Sequence, residues 1–140
     1  MKLRIGGEQV KPGWKILNAL PKPGVDFVGN ICDLSQIADA YVSAIYASHA
    51  VEHVPQALVH FTLAGIHRVL KSGGAFIVSV PDLDELCKQF LHPDGTTSSR
   101  MHIMRMMFWG QVDNYDFHFF GWTWSSCSIT RLPASCVAFL

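Results

Sequence analysis

Residues 67–86 read HRVLKSGGAFIVSVPDLDEL and carry three conformational signals in a row. Residues 75–80, AFIVSV, are the clearest strand in the chain, a short apolar run rich in β-branched side chains. Pro81 stops it. Asp82 then stands at a helix N-cap, with Glu85 three residues on as a capping-box partner. Leu83, Leu86, Cys87, Phe90 and Leu91 follow at the spacing of one helical face. Upstream, Leu58, Phe61, Gly65 and Val69 recur at three and four residues. This predicts a helix from Pro55, with Lys71 in its last turn and Gly73-Gly74 ending it.

Toward the N-terminus the chain is a series of short apolar runs cut by turns. Residues 2–5 form a strand stopped by Gly6-Gly7, and Pro12-Gly13 turns the chain into a second strand over residues 14–17. Pro21, Pro23 and Gly24 precede a third run at 25–28, and residues 44–47, AIYA, are a fourth. The fourth run is apolar almost without alternation, as in a strand buried on both faces. Toward the C-terminus, a Gly-, Thr- and Ser-rich loop leads to a helix starting at Ser98 or Ser99. Met101, Met104, Met107 and Phe108 lie on one side of it and Gly110 ends it. Beyond residue 124 no period is legible, and no convincing pair of strands follows AFIVSV. Short strands separated by helix-length connections define an α/β fold with a mostly parallel sheet and flanking helices, lacking a clear C-terminal strand pair. The expected organisation is one domain over residues 1–124 and a divergent tail over 125–140.

Composition narrows the function classes. Lys and Arg number 11 and Asp and Glu 11, so the zero net charge gives no footprint for nucleic acid or an anionic membrane. The first ten residues lack the apolar run of a signal peptide, and no stretch approaches the ~20 apolar residues of a spanning helix. Cys32, Cys87, Cys127 and Cys136 are scattered without a CxxC pair, which suits reduced thiols in the cytoplasm. Cys136 is fifth from the end, one place off a prenylation box. Hydrophobic residues make up 49% of the chain, enough for a partner chain to cover some apolar surface.

Five stretches then carry a resemblance: LRIGGE (residues 3–8), PGWKILN (12–18), CDL (32–34), ASHAVEHV (47–54) and HRVLKSGGAFIVSVPDLDEL (67–86). Their order and spacing resemble the class I S-adenosylmethionine-dependent methyltransferases, a Rossmann-like fold, and in particular small members whose first helix is nearly deleted. The resemblance implies S-adenosylmethionine as cofactor, bound at the carboxyl ends of the strands where strand order reverses. It implies that Gly6 and Gly7 let the backbone approach the methionine part of the cofactor. A plain tight turn is the other reading of that pair. Asn18 falls where the family has an acidic residue on the ribose hydroxyls. Its carboxamide still hydrogen-bonds, but without the strength of a charge. Asp33 falls where the family reads the adenine amine, or else it caps the turn that follows. Ser48 ends the fourth strand, beside the cofactor.

Methyl transfer needs the acceptor aligned with the methyl group, and an oxygen or nitrogen acceptor also benefits from a general base. His49, in the predicted mouth, is the first candidate and His118, within DFHFF, the second. A histidine among aromatics is also a common packed residue. The acceptor, small molecule or macromolecule, is not encoded in these motifs. His49-Ala50-Val51-Glu52-His53 also matches the H-x-x-E-H zinc-hydrolase pattern. That pattern needs both histidines on one helix, whereas here they straddle a strand end and Pro55, so no metal is expected. Two further expectations concern activity and assembly. Asn18 and the missing strand pair leave open a methyltransferase-like protein that binds without catalysing. An unpaired edge at residues 75–80, with Met104, Met107, Phe108, Trp109, Phe119, Phe120 and Trp122, suggests a homodimer.

Overall fold

The computed structural model describes residues 1–123, 125 and 126. The expectation of a divergent tail over 125–140 lies almost wholly outside the described residues. Within them the chain forms five strands, β1 (Lys2–Ile5), β2 (Trp14–Asn18), β3 (Phe27–Val28), β4 (Val42–Ser48) and β5 (Leu70–Ser79). Three α-helices accompany them, α1 (Val59–Val69), α2 (Leu83–Phe90) and α3 (Thr97–Phe108). The sheet order is β3-β2-β1-β4-β5 and every pair is parallel, so this is an α/β Rossmann-like fold. No strand follows β5 among the described residues, which leaves β5 at the sheet edge.

Register sets the two faces of the sheet. Leu3 pairs with Ile45 and Ile45 with Phe76, while Ile5 pairs with Leu17 and Ala47, and Ala47 with Val78. All seven are buried and share the core with Leu63, Ile66 and Val69 of α1. Lys2 and Arg4 alternate onto the opposite face, where Lys2 Nζ lies 5.7 Å from the Trp14 ring centre and the Arg4 guanidinium 5.8 Å from that of Tyr46. Only the β4-to-β5 connection carries an α-helix. The links from β1 to β2 and from β2 to β3 are turns and loops, so they supply no helix to that second face.

Several local expectations are corrected. The buried stripe of α1 is Val59, Thr62, Leu63, Ile66 and Val69, not Leu58, Phe61, Gly65 and Val69. Phe61 is 67% exposed and Leu58 41%. Both stripes satisfy helical spacing, and docking on the sheet selects the one whose β-branched and leucine side chains reach the core. The helix also ends earlier than Lys71. Ala40 N–H and Tyr41 N–H donate to the Arg68 and Val69 carbonyls, both at 2.9 Å, which satisfies the orphan acceptors of the last turn. Leu70, buried and extended, then starts β5 directly. The residues around Gly73-Gly74 lie inside β5, where pairing shifts between Val42↔Leu70 and Ala44↔Ala75.

Asp82 caps α2 as expected, accepting from Asp84 N–H at 3.0 Å, but Glu85 turns away and accepts from Gln89 Nε2 at 3.0 Å. Helix α3 starts at Thr97, one or two residues early, because Thr96 is the cap, with its Oγ1 accepting from Ser99 N–H at 3.1 Å. Its methionine face is mostly open: Met101 is 51% and Phe108 56% exposed, and Ile103 is the buried residue. No helix among the described residues is long and apolar enough to cross a membrane.

The two readings of α1 differ sharply in stability. Ile66→Ala is expected to cost about 2–5 kcal/mol in a denaturant melt, as for a buried large-to-small change. Phe61→Ala is expected to stay within about 0.5 kcal/mol of the parent, as for an exposed site.

Candidate active site

Strand order reverses between β1 and β4, because the chain leaves β1 toward β2 on one side and reaches β4 on the other. Their carboxyl ends therefore diverge and leave a crevice. A pocket of about 360 Å³ fills it. Ile5 and Gly6 end β1 and form one wall, with Leu17, Asn18 and Ala19 at the end of β2 beside them. Gly29, Asn30 and Ile31, just after β3, close the far side. His49, Ala50, His53 and Pro55 come from the turn after β4, and Asn114, Tyr115 and Phe119 arrive from the C-terminal return.

Gly6 has φ +74°, and a Cβ there would lie 3.3 Å from the Ser48 carbonyl oxygen. The position thus demands glycine twice over, by conformation and by close approach of two strand ends. Gly6 N–H donates to Leu17 O at 3.0 Å, which ties the ends of β1 and β2 together. Asn18 is engaged at both ends of its carboxamide. Nδ2 donates to Gly7 O at 3.2 Å, and Oδ1 accepts from Leu20 N–H at 3.0 Å.

The expected site residues are distributed unequally. Gly6, Asn18 and His49 line the pocket. Ser48 ends β4 next to it. Gly7 lies outside the lining, and a Cβ there would meet Arg4 Nε at 2.9 Å. Asp33 borders a different surface groove, with Phe61 and Arg68. Ser35 N–H donates to Asp33 Oδ1 at 2.9 Å, and this bond holds the carboxyl below its usual range. His118 also lies outside the main pocket, lining a small cavity of about 20 Å³ with Glu52.

His49 has φ +49°, a left-handed conformation uncommon for a side chain of this kind. Its N–H donates to Ser79 O at 2.8 Å, which extends the β4–β5 pairing one residue past the strand and fixes the strained backbone. Its Nδ1 lies 3.2 Å from Glu52 Oε1. Glu52 is 1% exposed, and that contact raises the His49 pKa above the ordinary 6.5 against the effect of partial burial. His118 Nε2 lies 3.9 Å from the same oxygen, but its side chain is 5% exposed and desolvation dominates, so its pKa is lowered.

Residues 51–53 form a single 3-10 turn, so His49 and His53 do not share a helix. His53 Nδ1 instead donates to Phe117 O at 2.9 Å. Phe119 N–H donates to Glu52 O at 2.9 Å, which straps the C-terminal return over the turn. Trp122, 2% exposed, anchors the return in the core, and Leu83 N–H donates to its carbonyl at 2.8 Å. Gly121 permits that approach, because a Cβ there would lie 2.5 Å from Leu83 Cδ2. The motif reading had not placed Asn30, Ile31, Tyr115 or Phe119 at the pocket. Asn30 had a local signal, a polar residue directly after a strand and a glycine. Tyr115 and Phe119 had none, since only tertiary folding brings them there.

The family described as "Methyltransferase domain" matches residues 10–78. Comparison with curated proteins and with solved structures gives no match. Residues 10–78 thus match a methyltransferase domain, and the sheet that holds them is an α/β Rossmann-like fold of the class I kind.

The two histidines that face Glu52 should titrate in opposite directions. In proton NMR, His49 is expected above and His118 below the ordinary 6.5. The raised value means that the His49–Glu52 contact stabilises the fold fully below about 6.5 and fades as pH rises through the folded-state pKa. The lowered value makes the His118 contribution full above 6.5 and lost as pH falls through its folded-state pKa. Equal titration of both rings would show that Glu52 does not discriminate them.

Proposed function

We propose that the chain is an S-adenosylmethionine-dependent methyltransferase whose cofactor occupies the pocket at the ends of β1, β2 and β4. One observation carries the reading: the pocket sits at the strand-order reversal, and Gly6, the glycine that the sequence resemblance puts there, has φ +74° and lies close to the Ser48 carbonyl. The volume of about 360 Å³ falls within the range of small-molecule sites. Gly6 and Ala50 would give the cofactor close backbone approach, and Asn18 and Asn30 would offer polar contacts. The cofactor supplies a methyl group activated on a sulfonium.

The chain supplies position, exclusion of water and a proton acceptor. Tyr115 and Phe119 form an aromatic wall that limits water in the pocket. His49 lies in the mouth, and Glu52 at 3.2 Å orients its ring through Nδ1. Its Nε2 would then take the proton from an oxygen or nitrogen acceptor as that atom bonds to the methyl carbon. His118, stacked on Trp109 at 5.3 Å and turned to Glu52, supports the site from behind. A cytoplasmic location, suggested by the scattered cysteines, belongs to the same proposal, as does a homodimer. The exposure of Phe108, Trp109 and Phe119 supports the dimer.

One observation favours a second reading, a cofactor-binding scaffold without transfer. Asn18 spends both halves of its carboxamide on the local chain, leaving less capacity for the ribose.

Calorimetry is expected to show binding of S-adenosylmethionine or its demethylated product, and Gly6→Val should weaken it at least about tenfold, because the isopropyl group takes up space at the pocket wall. Heat from neither ligand at millimolar concentration would falsify the cofactor assignment. With an acceptor found by screening for methyl release, His49→Ala should lower the transfer rate about a hundredfold and leave cofactor affinity nearly unchanged. Binding without transfer to any acceptor would favour the scaffold. In light scattering at micromolar concentration the dimer mass is expected, and a well-behaved monomer would remove the dimer.

A further inference from the structure

Glu52 poses a charge problem that neither the pocket nor the fold resolves. Its carboxylate is 1% exposed, and Oε2 has no hydrogen-bond partner. Its charged or ionisable neighbours are imidazoles: His49 at 3.2 Å and His118 at 3.9 Å from Oε1. Burying a carboxylate with one oxygen unmatched costs several kcal/mol unless a cation compensates it.

The surroundings have the form of a metal site. Glu52, His53 and His118 each offer one ligand atom, and these atoms all lie within 4.8 Å of one another. In a tetrahedral zinc site such atoms stand about 3.3 Å apart, so closure needs shifts of roughly 1 Å. The ring orientations are already set. His53 donates Nδ1–H to Phe117 O at 2.9 Å, which leaves the Nε2 lone pair for an ion. His118 turns Nε2 toward Glu52. The arrangement at His53, a ligating histidine held through its other nitrogen by a backbone carbonyl, recurs in metal sites. The rings of His53 and His118 meet edge to face at 4.8 Å, and Trp109 stacks on the outer face of His118. A cavity of about 20 Å³ beside Glu52 and His118 has room for one small ligand such as water.

We propose that Glu52, His53 and His118 bind one divalent transition-metal ion of the zinc(II) type. Two imidazoles and one carboxylate favour such an ion over magnesium or calcium, which prefer all-oxygen sets. The set differs from the H-x-x-E-H pattern in the sequence. His49 is not a ligand, and His118 replaces it from 65 residues beyond His53. The ion neutralises the buried carboxylate and ties the turn after β4 to the C-terminal return. That return carries Tyr115 and Phe119 into the pocket wall, so the ion would fix the wall in place.

The test uses the full chain stripped with chelator and titrated with zinc alone. Calorimetry and elemental analysis are expected to give one equivalent, and the melting temperature should rise on zinc addition. His118→Ala and His53→Ala should each weaken zinc binding at least tenfold and abolish the thermal shift, whereas His49→Ala should keep the stoichiometry. Circular dichroism reports whether each variant folds, and His118→Asn serves as the second variant if the alanine does not. The cobalt(II)-loaded protein should show tetrahedral visible bands without thiolate charge transfer. No stoichiometric uptake would overturn the site. So would uptake unchanged in the His118 variants, uptake lost with His49 instead, or thiolate bands that assign the ion to cysteines. None of these outcomes depends on cofactor binding or methyl transfer.

Discussion

The parallel pairing of β1 with β4 is the constraint on which the rest of the molecule depends. It seats Lys2 to Ile5 against Ala44 to Ala47 in the middle of the sheet and makes the chain leave β1 and β4 in opposite directions. A crevice at their carboxyl ends is the geometric consequence. Backbone spacing there is so tight that Gly6 faces the Ser48 carbonyl across it. The same pairing buries Leu3 and Ile5 against Ile45 and Ala47, so the strands that open the crevice also hold the core.

The fold is lopsided around that pairing. Helix α1 covers one face of the sheet, while the short connections between β1, β2 and β3 leave the other to side chains such as Lys2 over Trp14 and Arg4 over Tyr46. Cation–aromatic contacts let long basic side chains shield ring and strand surface while their charges stay near water. The β1-to-β2 connection also supplies no helix beside the pocket. The C-terminal return borders it instead. It is pinned by Trp122 in the core, by backbone bonds to Glu52 and Leu83, and by the His53 ring on Phe117. Glu52 is the joint: its backbone carbonyl receives the return, and its side chain orients His49 in the mouth and faces His118 behind it.

The sequence by itself determined the element types and the start of the site. Runs such as AFIVSV, short, rich in β-branched residues and bounded by turn residues, and AIYA, apolar almost without alternation, read as buried strands, and such strands in series lead to a parallel sheet. Gly6 and His49, which line the pocket, were picked out by a glycine pair and a polar residue directly after apolar strands. What only the tertiary structure decided were phases and long-range meetings. Two apolar stripes on α1 were equally periodic, and burial in the core that also holds Phe76 and Ile45, not spacing, selected Leu63 and Ile66 over Phe61. Asp33 and Asn30 stand three residues apart and each closes a turn with the residue two further on, yet Asn30 lines the pocket and Asp33 a different groove. His118 met Glu52 across 66 residues of chain. Local sequence carries no information about such encounters, because they depend on where the sheet edge, α2 and Trp122 direct the returning chain.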